Sequence, residues 1–134
     1  MSVQDSHAAS APHAIRWVRV VIAGFLAEVA LVIVAIPLFL LPNGQALLNL
    51  VIPPASFVAF VAFGYWAARG AARSQVLNGF LTGVAAVVLY FCLGLVAWAV
   101  AHRDPTASMT PAYLLAHALK MAGGAAGGWL AARK

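Results

Sequence analysis

The 134 residues are 64% hydrophobic and only 8% charged, with a mean hydropathy of +0.95. Soluble domains carry about 25% charged residues, so this composition excludes a water-soluble globule. The formal net charge of +5 does not point to nucleic acid, because the basic residues stand at the ends of apolar runs, where they report membrane topology.

Residues 1–14 are small, polar and aperiodic, and they predict a disordered tail. The apolar stretch that follows is longer than a signal-peptide core and has no small-residue cleavage site behind it, so a retained span is expected. Residues 15–134 are expected to form one transmembrane domain with spans at 17–41, 50–68, 76–101 and 112–132. A span needs about 20 mostly apolar residues.

Span one carries Glu28 in its middle and Pro37 near its far end, where a kink is expected. Pro42, Asn43 and Gly44 make a turn signal. Span two is expected to begin near residue 50, with Pro53 and Pro54 in its first turn. It ends on Tyr65, Trp66 and Arg69, an aromatic and basic pattern typical of a membrane interface. Trp17, Trp98 and Trp129 fit the same belts. Span three holds Cys92, expected to be a packing residue, and Asn78 and Thr82, which could add polar contacts between helices. Before span four, Thr110 suits an N-cap and Pro111 the first helical position. Span four is the least apolar and contains His117, Lys120 and the run Gly123, Gly124, Ala125, Ala126, Gly127, Gly128. Glycine at this density implies closely approaching backbones.

Six of the eight basic residues fall at the N-terminus (Arg16, Arg19), between spans two and three (Arg69, Arg73) and at the C-terminus (Arg133, Lys134). The positive-inside rule then predicts four spans with both termini in the cytoplasm. Residues 24–32 match residues 79–87 at six of nine positions, and Gly64–Arg69 resembles Gly128–Arg133 in the same order. A tandem, parallel duplication of a helical hairpin is therefore expected. Gly24 and Gly79 correspond, as do Glu28 and Gly83.

Glu28 lies nine residues past Arg19, about 14 Å along a helix, and Lys120 lies thirteen before Arg133, about 20 Å. Both charges reach mid-membrane depth, where an unpaired charge is costly. The first and last helices of a four-helix bundle are usually neighbours, so a Glu28–Lys120 pair is expected. A stripe of His117, Lys120, Gly124 and Gly127 should then face span one. The pair has two readings: a structural lock on helix register, or a proton or cation relay. No His, Cys or carboxylate cluster suggests a metal or cofactor, and no catalytic constellation is visible. The expected fold is an all-α integral membrane four-helix bundle. It would act as a structural or interaction component, as a homo-oligomer or with another membrane protein in the lipid bilayer.

Two resemblances bear on this. Leu26, Ala27, Glu28 and Val29 resemble the LAEV motif of small multidrug resistance transporters, which implies a proton-coupling role for Glu28. The repeated ending of glycine, apolar residues and Ala-Ala-Arg resembles small four-span bacterial membrane proteins, which implies the architecture without an activity.

Overall fold

A computed structural model describes residues 15–102 and 109–134. The expected N-terminal tail and most of the third loop lie outside the described residues. Four helices follow one another: α1 (Trp17–Phe39), α2 (Gly44–Ala68), α3 (Gln75–Ala101) and α4 (Pro111–Ala132). The fold is an all-α bundle. α1, α2 and α3 are long and apolar enough to cross a membrane. In lipid every backbone polar group must be satisfied within the chain, which a helix achieves by itself.

The 22 residues of α4 would span about 33 Å. It nevertheless falls short of the other three in apolar composition, because Lys120, His117 and its glycines displace Leu and Val. Packing compensates. Ala116, His117, Lys120, Gly123, Gly124, Gly127, Gly128 and Ala131 are all buried. By contrast, α1 and α3 leave large side chains such as Val18, Ile33, Leu93 and Val100 exposed, as helices facing lipid would.

Local signals set the helix ends. The Thr110 hydroxyl accepts the Tyr113 N–H at 3.2 Å, and Pro111 opens α4. Asn43 adopts a left-handed conformation, and a Cβ on Gly44 would lie 2.7 Å from the carbonyl oxygens of Leu38 and Phe39. This turn is so tight that α2 starts at Gly44, six residues before the expected start. Pro53 and Pro54 therefore sit inside α2 and not in its first turn. They leave the carbonyls of Asn49 and Leu50 without helical donors, which a membrane helix tolerates beside a neighbouring helix or a cavity.

The packing order departs from the expected one. α4 packs chiefly on α2 and then on α3, α1 packs on both of these, and α2 also touches α3. α1 and α4 barely approach each other. In cross-section the bundle is a rhombus with α2 and α3 on its short diagonal. The glycine stripe consequently faces α2 and α3, and not α1 as expected. A Cβ on Gly123 would meet the Phe57 carbonyl at 2.5 Å, and one on Gly127 would meet Val61 and Tyr65 of α2. On the other side of α4, Gly124 abuts Gly79, and Gly128 abuts Gln75 and Val76 of α3. A Cβ on Gly83 would lie 2.6 Å from the Lys120 carbonyl, and one on Gly24 2.9 Å from that of Thr82. Glycine lets α4 wedge between two helices at once, because a side chain at any of these points would strike backbone.

Gly124→Val should lower detergent-solubilised thermal stability by about 1–3 kcal/mol or more through overpacking. Gly94→Ala, at a position where a Cβ meets nothing within 4 Å, should leave it unchanged in the same melting assay.

Candidate functional site

The Lys120 ammonium of α4 donates to Glu28 Oε1 of α1 at 2.5 Å. Two helices that hardly touch are thus joined by their side chains across the middle of the bundle. Lys120 has 4% of its side chain exposed and Glu28 16%, so Glu28 is the more accessible partner. The Lys120 ammonium also lies 5.4 Å from the centre of the Tyr90 ring and 6.0 Å from that of Phe60. Such positions over aromatic faces are favourable for a cation.

One turn along α4 from Lys120 sits His117. Its ring meets Tyr113 edge-on at 4.3 Å, Tyr90 at 5.1 Å and Phe91 at 6.0 Å. His117 is 7% exposed. Both of its ring nitrogens are buried, with no hydrogen-bond partner among the described residues. A buried polar atom without a partner costs roughly 1–3 kcal/mol.

The pair forms one end of a partly open cavity of about 640 Å³. The cavity runs toward the end of the bundle that carries the α1–α2 and α3–α4 connections. Its walls are Leu31, Val32 and Ala35 of α1, Gln45, Leu48, Asn49, Ile52 and Pro53 of α2, Tyr90 of α3, and Thr110, Tyr113, Ala116 and His117 of α4. From Lys120 to Thr110 is ten residues, about 15 Å of helix. The volume lies within the range of small-molecule sites, about 300–1,000 Å³.

Beyond the pair, the other half of the bundle is closed. Phe60, Ala27 and Ala86 are fully buried there with Asn78 and Thr82. The Arg16 N–H donates to Asn78 Oδ1 at 2.8 Å, joining α3 to the start of α1. The Thr82 hydroxyl donates to the Asn78 carbonyl within α3, so of these two polar residues Asn78 makes the cross-helix bond. Arg16 and Arg19 both donate to the Arg69 carbonyl, Arg19 at 2.8 Å. Arg19 also stacks on Trp66, Lys134 lies over Tyr65, and Arg133 over Trp129. The site is therefore one-sided: open toward the hairpin turns and sealed toward the termini.

Of the residues singled out in the sequence, Glu28, Lys120 and His117 come together here. Gly83 supports Lys120 from behind, while Gly24, Gly79, Gly123, Gly124, Gly127 and Gly128 build the closed half. Sequence reasoning missed Tyr90, Tyr113, Gln45 and Asn49. Tyr113 could have been found, since it lies four residues before His117 on the Lys120 face. Gln45 and Asn49 were hidden by the late start expected for α2. Cys92 is exposed and not part of the core. Among the described residues no group of His, Cys, Asp and Glu is arranged to hold a metal.

Comparison with protein-family models, curated proteins and solved structures gave no match. The class rests on the fold and site alone: a small helical bundle of membrane type with an ion pair at the floor of a one-sided vestibule.

Removing one partner of a buried pair typically costs about 3–5 kcal/mol. Glu28→Gln and Lys120→Met should each lower the melting temperature of the purified protein markedly, and the double variant should recover much of the loss. Small, additive effects of the two singles would mean that the pair contributes little.

Proposed function

We propose that the protein is a small carrier of a bacterial cytoplasmic membrane, with both termini inside, that binds a solute at the Glu28–Lys120 pair and couples its movement to a proton or cation. The observation that carries this reading is the vestibule: about 640 Å³ of space ending on a charge pair of a buried Lys120 and a half-buried Glu28. A pair that served only to fix helix register would need no such space beside it. Basic residues cluster at the sealed end, which assigns that end to the cytoplasm by the positive-inside rule and turns the vestibule outward. Glu28 is the proton-coupling residue in this reading, Lys120 its counter-charge and His117 a polar group in the wall. No covalent chemistry is involved.

A second reading is a structural or interaction subunit, as a homo-oligomer or with another membrane protein. The two-sided glycine packing of α4 favours it, since it makes a closely packed unit with few residues outside the helices among the described residues. The hairpin duplication belongs to both readings. In it, Lys120 corresponds to Ser56, which is fully buried, so one copy would hold charges and the other small residues.

In proteoliposomes loaded with a pH-sensitive dye, the wild type should move protons when a substrate gradient is imposed. Glu28→Gln should abolish that movement while remaining folded. The subunit reading predicts no proton movement by either protein, and it predicts that Glu28→Lys combined with Lys120→Glu restores full stability. A fluorescent reporter on the C-terminus should glow in cells, whereas a periplasm-dependent phosphatase there should be inactive; the reverse would turn the vestibule inward.

A further inference from the structure

We infer that the vestibule takes a small carboxylate with an apolar body, bound between Lys120 and His117. The inference rests on the carrier reading for its direction of access, and on two separate features of the site for its chemistry.

The first feature is His117. It is buried on the cavity wall with neither ring nitrogen partnered among the described residues. A neutral imidazole offers one N–H donor and one acceptor. A ligand that reaches it must bring an acceptor for the N–H, and a carboxylate oxygen does so with a charge-assisted bond.

The second feature is the asymmetry of the ion pair. Lys120 is enclosed by the rings of Tyr90 and Phe60, and its one charged partner among the described residues is Glu28, which is the more open of the two. An incoming carboxylate can replace Glu28 on the ammonium without moving Lys120. An incoming amine could reach Glu28 as well, but it would place a second, uncompensated cation beside Lys120 at this depth. Carboxylate-for-carboxylate exchange leaves the charge at this depth balanced only if the displaced Glu28 takes up a proton from the vestibule. The ionisable groups lining the cavity with Glu28 are Lys120, His117 and Tyr113 from α4 and Tyr90 from α3, while the polar side chains that α2 brings to it, Gln45 and Asn49, are neutral. The apolar body of the ligand would lie against Leu31, Leu48 and Ile52.

The test is calorimetric binding of benzoate to the full chain in detergent, with benzylamine as a cation of matched size. Benzoate should bind and benzylamine should not. Benzoate affinity should rise as the pH is lowered, because one proton enters with each anion. Glu28→Gln, which mimics the protonated carboxyl, should bind benzoate with little pH dependence, and benzoate should raise its melting temperature more than that of the wild type. Lys120→Met should remove binding, and His117→Phe should weaken it by about tenfold. Laurate binding more tightly than benzoate would identify the carboxylate as that of a membrane fatty acid; benzoate binding more tightly would identify a dissolved solute. Binding of benzylamine in preference to benzoate, or benzoate binding unchanged by Lys120→Met and His117→Phe, would overturn the inference. If proton movement in proteoliposomes is seen without benzoate binding, the carboxylate is wrong and the carrier stands. If benzoate binds as described but no proton moves, the site stands and the carrier falls.

Discussion

A lysine ammonium inside an apolar bundle sets the terms for everything around it. Lys120 cannot face hydrocarbon without a heavy free-energy cost, so α4 has to sit where its middle meets an opposite charge. The nearest carboxylate in the chain's long apolar runs is Glu28 on α1. Yet α1 and α4 occupy opposite corners of the rhombus. Each side chain therefore reaches inward, and the pair forms near the axis of the bundle. Burying α4 that deeply requires its backbone to lie against α2 and α3 together, and that is what the glycines on its two flanks permit.

The same constraint explains the shape of the site. Glycine and alanine bring the helices together only over the half of the bundle nearest the termini. Toward the hairpin turns, α4 carries Tyr113, Ala116 and His117, α2 carries the prolines, and the corners α1 and α4 stay apart. The space left between them is the vestibule. Its floor is polar because the charges are there, and its walls are mixed because Leu31, Leu48 and Ile52 alternate with Gln45, Asn49 and the tyrosines.

Much of this was legible in the amino-acid order. Long apolar runs broken at residues 42–44, 69–74 and 102–110 fix the number of helices, and similar depth from the basic ends brings Glu28 and Lys120 within reach of each other. The pairing survived even though the reasoning behind it, adjacency of the first and last helices, did not hold. Depth is a one-dimensional quantity that sequence encodes. Lateral order depends on which faces interlock, and in a chain where small residues lie on several faces of each helix no single stripe declares its neighbour. Gly124 illustrates this: it was assigned to α1 because it continues the Lys120 face, but it abuts Gly79 of α3. The α2 start was misread for a different reason. Pro53 and Pro54 are strong local signals for a helix beginning, and the tight turn at Asn43 and Gly44 overrode them.

The closed half of the bundle is sealed by main chain lying on main chain. At Gly79 and Gly124, and again where Gly123 lies on the main chain of Phe57, the contact is made by backbone atoms and no side chain can swing aside to break it. Rotamer changes therefore cannot part the helices at these contacts. Anything held at the vestibule floor leaves the way it came unless whole helices slide or rock past one another. Collective motions of that kind take microseconds to milliseconds, so under the proposed carrier function passage would be counted in single molecules per cycle.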